Sequence, residues 1–137
     1  MPNRNVPCCL VFIVEDDPSI REALQEAIEA EGYPVRVASN GEEALLLLKG
    51  LKVPSLILTD LMMPKMNDYE FIEMASNTHT IASIPIVVVS ANPEHKAIAE
   101  MLDARKIKGL VKKPVDLKYL MSLVHTHCGP SPIKKKA

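Results

Sequence analysis

Four short stretches of this chain hold the residues best suited to chemistry: the acidic triplet Glu15-Asp16-Asp17, the pair Thr59-Asp60, the hydroxyl of Ser90, and Lys112-Lys113 ahead of Pro114. Carboxylates gathered without counter-charge repel and raise one another's pKa values, so Glu15, Asp16 and Asp60, once brought together, suggest a bound cation or a nearby base. Their donors are all oxygen, which selects a hard ion. Magnesium, held by one or two carboxylates, waters and phosphate oxygens, suits such a cluster better than the full protein cage of calcium. Zinc is disfavoured, because no His or Cys falls in these stretches. An Asp beside a metal can attack a phosphoryl group and hold it as an acyl phosphate, and Asp60 is the candidate. Such a transfer rests on positioning and on cations that meet charge developing on the phosphoryl oxygens. Lys113 would supply one cation, and Ser90 could donate a hydrogen bond to a phosphoryl oxygen.

These stretches follow short apolar runs rich in β-branched residues: Cys9 to Val14, Leu56 to Leu58, Ile84 to Val89, and Leu110-Val111, with a weaker run at Pro34 to Ala38. Continuous apolar runs suit strands buried on both faces of a parallel sheet. Between them, Ile20, Ala23, Leu24, Ala27 and Ile28 recur at helical spacing, with Asp17 placed to cap, Pro18 at the first helical position and Gly32 past the end. Further helices are predicted near 41–49, 69–76, 93–103 and 117–127, with Asn40, Asn92 and Asp116 as caps for three of them. Strand and helix thus alternate, the pattern of an α/β fold with helices on both faces of a parallel sheet and right-handed crossovers. Ligands in such sheets bind at the carboxyl ends of the strands, which is where the acidic, hydroxyl and lysine residues stand.

The 137 residues fit one domain and leave no room for a second output module. Apolar residues make up 47%, charged residues 24%, and the net charge is −1, a soluble globular balance without a bias toward nucleic acid. Glu15, Asp16 and Asp17 follow the first apolar run where a signal peptide would have small cleavage-site residues. No apolar stretch approaches the roughly 20 residues of a membrane-spanning helix, and a cytoplasmic location is expected. The three cysteines, Cys8, Cys9 and Cys128, read as reduced thiols. His125-Thr126-His127-Cys128 makes a poor metal site, since residues two apart on a helix do not face each other. The Pro- and Lys-containing tail 129–137 is expected to be disordered.

The segments Ile13-Val14-Glu15-Asp16-Asp17, Asp60-Leu61-Met62-Met63-Pro64, Ser90-Ala91 and Lys113-Pro114 together resemble, in order and spacing, the response-regulator receiver domain of two-component signalling. Each motif alone is weak; four in order, each closing a predicted strand, are specific. The resemblance implies a doubly wound five-stranded parallel sheet of flavodoxin-like order 2-1-3-4-5, with the receiver domain over 8–128 and a short N-terminal segment 1–7. It implies that Asp60 is the phosphoacceptor, that Asp16 and Asp60 bind Mg2+ directly, that Glu15 acts through a metal-bound water, and that the Met62 carbonyl is a further ligand. Ser90 would follow the phosphoryl group, and Lys113, joined to Pro114 by a cis peptide, would be the paired cation. The donor would be a phosphohistidine on a sensor histidine kinase or phosphotransfer protein. The domain would catalyse its own phosphorylation and slow dephosphorylation without being an enzyme toward outside substrates. A downstream protein target or relay partner would read the phosphorylated form through the face around 93–103, the strand at Leu110 and the helix after Asp116. Direct binding to nucleic acid or membrane is not expected, and dimerisation on activation is left open.

Three positions depart from the family pattern. Asp68 stands where Gly is frequent, in a turn that Asn67 and Asp68 tolerate. Leu110 replaces the usual aromatic ring that moves inward on activation, so the readout at that position differs. Met62 and Asn92 occupy the two positions that tune dephosphorylation. Two alternatives follow. A phosphorylation-independent, receiver-like protein-binding module would fit Leu110. A magnesium-dependent aspartyl-phosphate phosphatase fits less well, because such enzymes carry a general acid two residues after the nucleophile, where this chain has Met62.

Overall fold

The computed structural model describes residues 10–50, 56–60, 84–90, 100 and 107–128. Five strands, β1 (Val11–Val14), β2 (Val35–Ala38), β3 (Leu56–Asp60), β4 (Ile86–Ser90) and β5 (Gly109–Lys112), form one sheet of order β2-β1-β3-β4-β5. Every pairing is parallel, with Val14 beside both Ala38 and Thr59, Asp60 beside Val89, and Ser90 beside Lys112. Among the described residues, three helices accompany it: α1 (Pro18–Ala30), α2 (Gly41–Gly50) and α3 (Leu117–Cys128).

Successive residues of a strand point to opposite faces, and here both faces are covered. Phe12, Val14, Ile57, Ile86 and Val88 pack with Ala44, Leu45 and Leu48 of α2. Val11, Ile13, Leu58, Val87 and Val89 pack on the other side with Leu24 and Ile28 of α1 and Leu120 and Val124 of α3. All residues of β1, β3 and β4 are therefore buried, whereas the edge strands β2 and β5 mix buried and half-buried positions with one exposed residue each, Arg36 and Lys112. That difference explains the weaker apolar signal at Pro34 to Ala38.

Helix ends follow the side chains placed to satisfy them. Asp17 Oδ1 accepts hydrogen bonds from the Ser19 and Ile20 N–H groups at 2.8 and 3.3 Å, and Pro18 opens α1. Beyond its end, Gly32 has φ 97°, a left-handed conformation natural to glycine. Asn40 Oδ1 caps α2 by accepting from the Glu43 N–H at 2.8 Å, while Glu43 Oε1 accepts from the Ser39 N–H and hydroxyl. Asp116 caps α3 through the Lys118 and Tyr119 N–H groups.

The described strands shift some expected limits: β1 starts at Val11, β3 and β4 reach Asp60 and Ser90, and Ile84 precedes β4. In α1 the buried face centres on Leu24 and Ile28, while Ala23 is exposed beside a groove that Lys113, Pro114 and Val115 also line. The helix predicted over 69–76 lies outside the described residues. So do the one over 93–103, apart from helical Glu100, and the cap Asn92. One expectation is corrected: Cys128 is disulfide-bonded rather than a free thiol. Cys128 packs, partly buried, against the core cluster on the α1 and α3 side of the sheet. The chain's other cysteines, Cys8 and Cys9, lie outside the described residues.

Candidate functional site

Strand order decides which chain segments meet at the carboxyl edge of the sheet. Glu15 directly follows β1, β3 ends in Asp60, β4 ends in Ser90, and the backbone past β5 brings in Lys113, whose N–H donates to the Ser90 carbonyl at 2.8 Å. Ligand oxygens of Glu15, Asp16 and Asp60 lie within 4.8 Å of one another, close enough to share one metal ion. Among the described residues this is the one group of three or more His, Cys, Asp or Glu side chains so arranged. Glu15 and Asp60 are buried at 2% and 6% exposure, and Asp16 is partly exposed on the link between β1 and α1.

Lys113 reaches into this cluster. Its Nζ stands 3.2 Å from Asp60 Oδ2 and 3.4 Å from Glu15 Oε1. Neighbouring Lys112 is exposed, and the peptide from Lys113 to Pro114 is cis. The opposite edge of Glu15 is held by the Asp17 N–H, which donates to Oε2 at 3.2 Å.

One lysine does not balance the buried acids. Burial first, and then the charge of Asp60, push the Glu15 carboxyl from 4.5 to about 7, against the Asp17 N–H and Lys113, which favour ionisation. Burial would lower the Lys113 pKa, but Asp60 and Glu15 outweigh it and hold the ammonium above its usual range. The protein alone therefore meets its excess of negative charge partly by keeping a proton on Glu15. An oxygen-only donor set with this charge deficit suits a hard divalent cation, and magnesium fits the residues present.

Ser90 is buried at the end of β4, beside Lys112 and one residue beyond the Asp60–Val89 pair. Leu110 lies in β5 opposite Val88, partly buried against the Phe12 and Ile57 cluster. Met62 and Asn92 fall outside the described residues. Spacing does not single out Arg21, yet its Nη1 donates to the Glu15 carbonyl at 2.9 Å. Its position one helical turn beyond Asp17 was the available signal.

A five-stranded parallel sheet that gathers carboxylates and a lysine at one edge defines the class of α/β proteins with an acidic pocket suited to a divalent cation. The profile of the response regulator receiver domain matches residues 11–125. The chain is 31% identical over 118 residues to an uncharacterized 14.6 kDa protein in the sodA1 3′ region of Leptolyngbya boryana, covering 86% of this chain and 88% of that one. It is 35% identical to the sensor histidine kinase TmoS of Ectopseudomonas mendocina, but the match spans 76% of this chain and only 10% of that protein. The crystal structure of a response regulator receiver protein from Pseudomonas putida superimposes with a TM-score of 0.77 at 30% identity, covering 88% of this chain and 98% of that one. The chain belongs to the response regulator receiver domain family, the signalling module of two-component phosphorelays. Among the described residues, no helix is long and apolar enough to cross a membrane.

Proposed function

We propose that this protein is a phosphorylation-driven switch of the cytoplasm, with Asp60 as its phosphoacceptor and 8–128 as its folded unit. A sensor histidine kinase or phosphotransfer protein would present a phosphohistidine. The phosphorus–nitrogen bond breaks as an Asp60 carboxylate oxygen bonds to phosphorus, and the imidazole nitrogen leaves with the electron pair. The single observation that carries the reading is the position of Lys113 Nζ, within ion-pair distance of both buried acids, Asp60 and Glu15. A lone buried carboxylate would be costly, and one held by a cation at a strand end is ready to accept a phosphoryl group.

Asp16 and Asp60 would hold magnesium directly, Glu15 through a water, and the Met62 carbonyl would complete the protein's ligands. When bound, magnesium supplies positive charge against the phosphoryl oxygens. Lys113 would pair with the arriving group, and the Ser90 hydroxyl would donate to one of its oxygens. Phosphorylation replaces the single charge of the Asp60 carboxylate with the roughly two charges of an acyl phosphate at the sheet edge, and shifts a pre-existing equilibrium of the surface that a protein target or relay partner reads. Leu110 sits on that surface's strand, and Met62 and Asn92 would set how fast water removes the group. The domain works on itself alone and turns over no outside substrate.

The test is incubation with magnesium and acetyl phosphate or beryllofluoride, comparing wild type with Asp60→Asn by intact mass and NMR shifts. A magnesium-dependent response lost in Asp60→Asn is expected. No response from a folded wild type would overturn the reading and favour a phosphorylation-independent binding module.

A further inference from the structure

The peptide plane between Glu15 and Asp16 carries two of the three clustered carboxylates, one on each side. The Glu15 N–H is still part of the sheet, donating to the Ala38 carbonyl at 3.0 Å, but its carbonyl lies past the last ladder pair. That carbonyl accepts the Arg21 Nη1 hydrogen bond at 2.9 Å. Because the peptide unit is planar, holding its oxygen restricts both the torsion that leaves Glu15 and the one that enters Asp16. Arg21 is itself anchored: its N–H makes the first-turn bond of α1 to the Asp17 carbonyl at 2.9 Å. The clamp thus joins a rigid helix to the one short link on which Glu15 and Asp16 hang.

Glu43, at the start of α2, is held below its usual carboxylate range first by the Ser39 hydrogen bonds and, more weakly, by the charge of Arg21. The Arg21 charge is thus felt weakly at the β2–α2 turn, while its hydrogen bond holds the β1–α1 link.

We propose that Arg21 is a positioning residue for the magnesium site, fixing the Glu15–Asp16 peptide so that both carboxylates are preorganised for the ion. The inference rests on the reading of Glu15, Asp16 and Asp60 as the metal-binding group. Groups that orient ligands without touching the metal typically change affinity by about 10–100-fold. A planar guanidinium reaching a carbonyl from a helix is not matched by a lysine ammonium, which carries the same charge with different reach and geometry.

The experiment is a magnesium titration of the phosphate-free full chain, followed by NMR shifts, for wild type, Arg21→Gln, Arg21→Lys and Asp60→Asn. The melting temperature without metal is measured alongside, and acetyl phosphate labelling is run at limiting and at saturating magnesium. Both Arg21 variants are expected to bind magnesium about tenfold or more weakly, with labelling restored at saturating ion and melting without metal changed little. Unchanged affinity in Arg21→Gln, or full rescue in Arg21→Lys, overturns the inference, the latter by showing that charge alone suffices. A wild type that binds no magnesium overturns the metal-site reading together with the inference; a wild type that binds, with unaltered Arg21 variants, overturns the inference alone.

Discussion

Lys113 and Asp60 form an ion pair at 3.2 Å between the backbone following the edge strand β5 and the last residue of the central strand β3, and the same ammonium lies 3.4 Å from Glu15. One cation thus serves two buried acids, and its loss leaves them facing each other. Lys113→Ala is expected to destabilise the metal-free protein at neutral pH by roughly 1–3 kcal/mol, less than for a fully buried pair because the lysine is 19% exposed. In an Asp60→Asn background the penalty should fall below about 1 kcal/mol, and magnesium should offset part of it in the Asp60 protein. Urea denaturation of the four proteins of this cycle measures it. Equal penalties in both backgrounds would refute the shared-cation account.

Glu15 sets a pH dependence whose sign is fixed by its environment. Its carboxyl titrates near 7 in the fold against 4.5 as an ordinary glutamate, so the folded state keeps its proton longer. Stability from this group is full below about pH 4.5 and is lost as pH rises through about 7. The difference in stability between wild type and Glu15→Gln, followed with chelator from pH 4 to 8, should therefore decline with pH across that window. Saturating magnesium, which favours the ionised carboxylate, should flatten or reverse the decline. A difference that rises with pH in chelator would contradict the assigned burial.

Asp17 stands beside the cluster but spends its side chain on the first turn of α1. Asp17→Ala is expected to cost about 1 kcal/mol and Asp17→Asn only a few tenths, since Asn caps nearly as well. Both should label with acetyl phosphate to the wild-type extent at saturating magnesium. Loss of labelling in the stably folded Asn variant would move Asp17 from capping into the chemistry.

The bond at Cys128 ties down the end of α3. Reduction should raise the intact mass by two hydrogens and lower stability by about 2–4 kcal/mol, and Cys128→Ser should match the reduced wild type under either condition. Peptide mapping of the oxidised protein will show whether Cys8 or Cys9 is the partner. Identical melting and identical mass with and without reductant would rule the bond out in solution.

Much of the scaffold was legible residue by residue. The unbroken apolar runs of β1, β3 and β4 read as strands because water is excluded from both of their faces, and the mixed β2 read weakly because an edge strand meets solvent. Asp17, Asn40 and Asp116 were recognisable as caps because a cap bonds N–H groups only two or three residues away. Leu24 and Ile28 follow from the helical period alone, while Ala23, at the rim of the same stripe beside Ile20 and Leu24, is left exposed. The free-thiol reading of Cys128 failed because neither composition nor spacing states which distant segment a helix end will meet.

The amino-acid order by itself determined the strand and helix segments, their caps, and the polar residues that end each strand, because local hydrogen bonding and burial act over a few positions. Only the tertiary structure decided that Lys113 shares its charge between Asp60 and Glu15, that burial keeps a proton on Glu15 near neutrality, and that Arg21 grips the Glu15 carbonyl. Those relations join residues far apart in the chain or buried by other elements. They exist because the order β2-β1-β3-β4-β5 and its register bring the carboxyl ends of β1, β3, β4 and β5 to a single edge, where Coulomb forces in a poorly solvated pocket become strong.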